Sequence, residues 1–349
     1  MKDKNNWENK RVFITGHTGF KGSWIFFYLI KKGAKVHGYS LNYARNSKIF
    51  SKKNYKNKQT INDINNYRIL EKSILKFKPH VIIHLAAKVL VLNSYRESYQ
   101  TFYTNIVGTL NILEISKKLK NLKSLCVITT DKVYDEKFGV KFFNEEDRLG
   151  GKDPYSSSKV SAEIIVNSYY ESFYKEKKIS LFSVRAGNVI GGGDWSESRL
   201  IPDIVRSSRN KKILKLRNPF HVRPWQHVLD VTNGYLKLIE FSFNKNLNGG
   251  WNIGPKRKNE KNVLEMVKIF NKKLNFNYTI SKVNKIRKYE SFFLQLDNKK
   301  ILKTIGWKCK LDLNETINWA VEWYINRNKN VLSRTQYQID KYIKLYDSL

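Results

Sequence analysis

Tyr155 and Lys159, in the segment DPYSSSKVSAE, stand four residues apart, so a helix would carry both on one face. A cation beside a phenol lowers its pKa and makes a phenolate base available near neutral pH. About 25 residues upstream, TTDKVYD (Thr129 to Asp135) follows the apolar run LCVI. It sets a hydroxyl, a carboxylate and an amine in consecutive positions at Thr130, Asp131 and Lys132. A strand ending there would bring all three toward one cleft. Alone, an Asp-Lys pair on a turn, or a Tyr and Lys on a solvated helix face, implies no function. Their significance depends on what stands beside them.

The third feature is TGHTGFKG, where Gly16, Gly19 and Gly22 lie between the apolar run RVFIT and a helical stretch. Glycine there lets the backbone turn tightly and approach a pyrophosphate closely at a helix N-terminus. The spacing G-x-x-G-x-x-G differs by one residue from the commoner dinucleotide fingerprint. An acidic residue about twenty positions on normally holds the adenosine ribose of NAD. Here the second strand runs into YSLNYARN. Asn42 is the weaker hydrogen-bonding substitute, and Arg45 leaves NADP as the minority alternative to NAD.

The elements that must position these groups alternate in type. Residues 11–15, 34–39, 80–87, 124–130 and 181–187 read as strands, several of them apolar throughout; 20–32, 97–118 and 154–176 read as helices. That alternation predicts an α/β fold, a Rossmann-type doubly wound parallel sheet covered on both faces. Beyond residue 186 the pattern loosens through GNVIGGGDW, LIPDIV and RPWQHVLD. The expected division is a dinucleotide-binding domain over 1–186 carrying Thr130, Tyr155 and Lys159, and a smaller, mainly substrate-binding domain over 187–349. Some interleaving of the chain is expected.

Composition excludes several classes. In 349 residues, 41% are hydrophobic and 13% aromatic, which rules out a disordered chain. There is no run of about 18 apolar residues, and MKDKNNWENK has no signal-peptide core, so a soluble, cytoplasmic protein without membrane association is expected. Cys126 and Cys309 suggest neither a disulfide framework nor a metal site, and the six histidines lack ligand spacing. The net charge of +35 would suit a nucleic-acid binder, but the lysines are scattered among asparagines and no such motif accompanies them. A positive field attracting a small anionic ligand is the milder consequence.

Taken together, the segments KRVFITGHTGFKGSW, ITTDKVYD, GGKDPYSSSK, VRAGNVIGGGDW with RLIPDIVR, RNPFHVRPWQHVL and GWNIGP resemble the extended short-chain dehydrogenases. Among these they are most similar to the CDP-glucose 4,6-dehydratase family. Sister families usually carry Asp-Glu after the threonine, where this chain has Asp-Lys. The resemblance implies an internal redox elimination with NAD, a lyase reaction in deoxysugar biosynthesis for surface polysaccharide such as lipopolysaccharide O-antigen. Thr130 would hydrogen-bond the glucose 4-hydroxyl, and Tyr155, beside Lys159, would take its proton as hydride leaves C4. The 4-ketone acidifies the C5 hydrogen, and hydride later returns to C6. Asp131 is the candidate acid for the departing 6-hydroxyl, which requires a pKa raised by desolvation. Lys132 is the candidate base at C5, which requires burial and the neighbouring Lys159 to make it give up its proton readily. Enolate stabilisation and substrate binding are its alternative roles.

The same resemblance implies cofactor contacts from Gly16, Thr18, Gly19, Phe20, Lys21, Gly22, Asn42, Asp63, Ile64, Leu85, Ala86, Ala87 and Asn105, besides Tyr155 and Lys159. Asn188, Arg199, Arg217 and Arg223 would hold the nucleotide diphosphate, and Trp225 either joins them or fills the core. Where the family pattern reads close to AAQPLVR, this chain reads AAKVLVL. Lys88 and Leu92 therefore keep an altered sugar preference as an alternative. The rival readings are a 4,6-dehydratase or a 4-epimerase acting on another nucleotide sugar, and Asp131 with Lys132 argues against the epimerase. A homodimer or homotetramer is also implied, built on the helices near 97–118 and 154–176, with no metal.

Overall fold

The apolar run RVFIT becomes β1 (Arg11–Thr15), buried at every position after its first residue. A computed structural model of the chain describes residues 6–41, 55–136, 142–256, 260–280, 294–326 and 330–347; Asn42 and Arg45 lie outside them. Following β1 are β2 (Lys35–Ser40), β3 (Gln59–Ile61), β4 (Val81–His84), β5 (Ser124–Ile128) and β6 (Ser180–Ala186). The later strands are β7 (Asn188–Ile190), β8 (Leu214–Leu216), β9 (Val222–His227), β10 (Asn248–Ile253), β11 (Glu260–Asn262) and β12 (Tyr278–Ile280).

The first six strands and β10 form one seven-stranded sheet in the order β10-β6-β5-β4-β1-β2-β3, and every pairing in it is parallel. The order reverses between β1 and β4. Such a switch point opens a crevice at the carboxyl ends of the strands, where ligands of Rossmann-type folds bind. β10 comes from far beyond residue 186 and pairs with β6 from Asn248 opposite Leu181. Outside this sheet stand a three-stranded sheet, β11-β9-β7, and the pair β12-β8.

Both faces are covered. On one side α1 (Phe20–Lys31) is buried without interruption from Gly22 to Leu29. It packs on α7 (Val228–Phe241) and α10 (Val331–Tyr342) as well as on the sheet, which explains its apolar character all round. The other side carries α2 (Tyr67–Phe77), α4 (Gly108–Ser116) and α5 (Pro154–Tyr169), with Ile74, Ile112, Leu113 and Val166 in a second core cluster. The stretch expected as one helix over 97–118 is α3 (Ser98–Phe102), a π turn (Tyr103–Val107) and α4. The helix expected to Glu176 ends as α-helix at Tyr169 and passes into a π turn (Tyr170–Tyr174). Three more helices, α6 (Leu200–Asn210), α8 (Val263–Leu274) and α9 (Leu313–Ile325), belong to the second half of the chain. Among the described residues, no helix is long and apolar enough to cross a membrane.

The strands β4 and β5 stop two or more residues short of their expected ends, and both stops shape the cleft. After His84 the Leu85 and Ala86 amides turn to the Thr15 hydroxyl, each at 3.1 Å. After Ile128 the chain enters a 3₁₀ turn over Asp131–Val133 that the Thr130 hydroxyl caps.

Candidate active site

A cleft of about 800 Å³ lies over the carboxyl ends of the central strands. Its wall includes Gly16, Thr18 to Gly22, Asp63, Ile64, Leu85 to Ala87, Thr130 to Lys132, Tyr155, Lys159, Asn188, Arg199, Arg217 and Arg223. Nucleotide-loop, hydroxyl-acid-amine and arginine motifs from distant parts of the chain therefore share one space.

Steric crowding accounts for the glycines. Gly16 has φ +74°, and a Cβ there would meet the Ala86 amide at 2.8 Å; a Cβ on Gly22 would lie 2.2 Å from the Gly16 carbonyl oxygen. Gly19 precedes α1 without any side-chain cap, and the first turn of α1 has no acidic residue. The first amides of this helix thus face the cleft without an internal partner, a cradle that fits the diphosphate of a dinucleotide. The His17 ring bridges Ser40 and Gln59 at 2.9 Å each and ties the loop to β2 and β3. Burial lowers its pKa to about 4. Beyond β3, the Asp63 carboxylate accepts the Asn65 amide at 2.9 Å and lines the cleft, an acid where the end of β2 was expected to lack one.

At the other end, Asp153 sets the register of α5. Its carboxylate accepts the Tyr155 and Ser156 amides at 2.9 and 3.0 Å, and the Ser156 hydroxyl accepts the Asp153 amide at 3.1 Å. This capping box, with Pro154 opening the helix, fixes Tyr155 in the first turn. The Thr130 hydroxyl donates to Asp131 Oδ1 at 3.0 Å. Asp131 is buried, and its Oδ2 has no hydrogen-bond partner. Burial raises its pKa; Lys132, Thr130, Arg223 and Lys21 act against that rise. Gly187 leaves room beside this oxygen, since a Cβ there would lie 3.2 Å from Oδ2 and collide with Pro224. Lys132 is half-buried on the cleft wall.

The tyrosine departs from expectation. Burial pushes Tyr155 up to about 12, with a hydrogen bond to Thr130 and the charge of Arg199 working against the rise. Lys159, one helical turn on, donates its ammonium to the Ile128 carbonyl oxygen at 3.0 Å. Burial also brings Lys159 down to about 8, opposed by Glu163. Glu163 belongs to a network that the sequence reading missed. Arg185 Nε donates to both its carboxylate oxygens at 3.0 Å, and Thr129 Oγ1 donates to it at 2.6 Å. Arg185 also donates to the Tyr134 hydroxyl at 2.8 Å, which donates to Asn252 of β10 at 2.7 Å. The available signal was a glutamate one helical turn after Lys159 and an arginine inside the apolar strand LFSVRAG.

At the arginine end, Arg199 donates to the buried Asp194 at 3.2 Å, and Arg217 donates to the Ser198 carbonyl at 3.2 Å. Arg223 is buried and bonds His221 Nδ1 at 3.1 Å and the Val222 carbonyl at 2.8 Å. Trp225 is buried yet borders the cleft, with its indole donating to the Lys261 carbonyl at 2.8 Å. Leu92 and Lys88 both line the cleft, and Lys88 also forms an ion pair with Glu97. Asn105, expected to touch the cofactor, is buried against the loop that follows β4. Its amide binds the Lys88 backbone at both its N–H (2.8 Å) and its carbonyl (3.1 Å), and donates to Ser158 Oγ at 2.8 Å. It holds the 85–90 loop against α5. Among the described residues, no group of three or more His, Cys, Asp or Glu could hold a metal ion.

Residues 13–319 match the family described as GDP-mannose 4,6 dehydratase. The chain is 39% identical to a CDP-glucose 4,6-dehydratase of Salmonella typhimurium over 337 residues, 93% of each chain. A dTDP-glucose 4,6-dehydratase of Haemophilus influenzae is 26% identical over 341 residues, 90% of this chain and 97% of that one. The solved structure of a Bacillus anthracis dTDP-glucose 4,6-dehydratase in complex with NAD is similar with a TM-score of 0.73 at 25% identity, covering 91% of this chain and 98% of that one. A UDP-glucose 4-epimerase from Thermotoga maritima, at 22% identity and a TM-score of 0.79 over 91% and 100% of the two chains, shares the fold.

Proposed function

Because the chain belongs to the GDP-mannose 4,6-dehydratase family, we propose that it converts CDP-glucose to CDP-4-keto-6-deoxyglucose with NAD as a recycled cofactor. Asp131 carries this reading. It is a buried carboxyl with one unpartnered oxygen, beside Thr130 and in the same cleft as Tyr155, and burial favours its protonated, donating form. Exchange of configuration at C4 alone would need no such acid.

The crowded glycines, the uncapped start of α1 and the Asp63 carboxylate fit a dinucleotide, and bound NAD supplies the hydride acceptor at C4 and the hydride donor at C6. Tyr155 takes the proton of the 4-hydroxyl that Thr130 orients, with Lys159 one helical turn on as the cation that favours its ionised form against the effect of burial. Lys132 takes the proton from C5 once the 4-ketone has acidified it, and returns one to C5 as hydride reaches C6. Asp131 gives a proton to the 6-hydroxyl, which leaves as water. Arg199, Arg217 and Arg223 hold the diphosphate, for which the guanidinium fork is suited, and Asn188 lies beside them.

Residues 1–186 thus serve mainly the cofactor and 187–349 mainly the substrate, with α7 and β10 returning to the first layer. A homodimer or homotetramer forms across α3, α4 and α5, where Tyr99 and Ile164 stand 71% and 61% exposed, and the protein works in the cytoplasm. The test is incubation with CDP-, UDP-, dTDP- and GDP-glucose plus NAD, with detection of a 4-keto-6-deoxy product. Product from CDP-glucose is expected. Product only from another nucleotide sugar would overturn the choice of base, and none from any would overturn the dehydratase reading.

A further inference from the structure

Lys21 is the second residue of α1, and its half-buried side chain lines the cleft. Its Nζ lies 3.4 Å from the hydroxyl of Tyr235 on α7, over whose ring it is also placed. Around this amine stand Lys159 from α5, Arg199 ahead of α6 and Asp131 after β5. Tyr235 in turn faces Tyr155, Asp131 and Cys126. None of the proton transfers assigned above uses Lys21. A half-buried amine beside two other cations and a single carboxyl is costly to keep charged, which argues for a task needing charge at this point.

We propose that Lys21 is a redox-tuning cation that biases the bound nicotinamide toward its reduced form, an inference that rests on the NAD-dependent reading. The oxidised ring carries a positive charge and the reduced ring none. An ammonium in the same chamber therefore repels only the oxidised ring, and this favours oxidation of the sugar. When hydride passes from the sugar carbon to the ring, the ring loses one positive charge. The amine then binds one proton from solvent more readily, so the charge of the chamber is restored. Burial and the nearby Arg199 and Lys159 bring the Lys21 amine down to about 7, so this response falls in the physiological range.

The test is direct binding of NAD and of NADH to the purified full chain without sugar nucleotide, by calorimetry or NADH fluorescence, from pH 5.5 to 8.5. In the wild type the preference for NADH should fall on the order of tenfold as pH rises through neutrality, the scale of one unit charge acting through a protein interior. Lys21→Met should remove the part of the fall centred near pH 7 and leave only the part that follows Lys159 near pH 8. Lys21→Arg should keep the high preference through pH 7 and show only that later part. A Lys21→Met preference matching wild type at each pH overturns the proposal. Should that variant not fold, a wild-type fall in Lys21→Arg overturns it equally. Failure of the wild type to bind either dinucleotide would instead overturn the NAD reading, and this inference with it.

Discussion

Replacing Glu163 by Gln should destabilise the protein by about 3–5 kcal/mol, the cost of breaking a buried ion pair from one side. The two side chains are 4% exposed each, so water cannot solvate what is left. Arg185 would keep the Tyr134 hydroxyl at 2.8 Å and the single amide oxygen of the replacement side chain, but as a charged group with no counter-ion facing a new NH2 donor. The loss is a large fraction of the roughly 5–15 kcal/mol that holds a typical domain folded. Urea unfolding followed by tryptophan fluorescence would measure it. The double variant Glu163→Met, Arg185→Met is the decisive comparison, because it leaves no charge buried. Thr129 retains the Val184 carbonyl at 3.3 Å and Tyr134 retains Asn252. Stability should then return to within about 2 kcal/mol of wild type. Glu163 also holds the proton on Lys159, so the alkaline limb of the rate profile should move to lower pH in Glu163→Gln. A single variant as stable as wild type, or a double variant no better than the single, would refute the reasoning.

Tyr155→Phe should keep nucleotide-sugar binding and lose at least ~10²-fold in turnover, the scale of general base catalysis; near-normal turnover removes Tyr155 from its role. Lys132→Met should allow oxidation at C4, so that NADH absorbance accumulates on the enzyme while exchange of the C5 hydrogen with deuterated water is lost. Absence of NADH in that variant would assign Lys132 to binding. Asp131→Asn should retain both oxidation and C5 exchange and slow the loss of the 6-hydroxyl, read as exchange without product. Lys159→Met should abolish activity yet stabilise the fold at pH 7. The folded pKa of Lys159, about 8, lies below the unfolded 10.5, so the unfolded chain binds more protons between those values and stability rises with pH across that window. Below it the full penalty stands, about 3 kcal/mol at ~1.4 kcal/mol per unit, and the variant should be free of it. Equal stability of variant and wild type at pH 7 would contradict the burial of that charge.

Local pattern determined much of this protein. The apolar run of residues 11–15 makes a buried strand whichever segments flank it, and Gly16 and Gly22 stand where a Cβ would strike backbone. Tyr155 and Lys159 share a helix face because Asp153 and Pro154 start that helix one residue earlier. These signals act over a few residues, so they are legible in the chain. Only the tertiary structure decided the protonation behaviour of the site. Tyr155 rises where the spacing implied a fall, because burial sums over neighbours from many segments and here exceeds the effect of a lysine directed to Ile128. The closing of the sheet by β10, the Glu163–Arg185 pair behind the catalytic helix and the meeting of Lys21 with Tyr235, 214 residues away, were equally invisible. Contacts across such separations leave no periodicity in a sequence, since they depend on how layers stack after the local elements have formed.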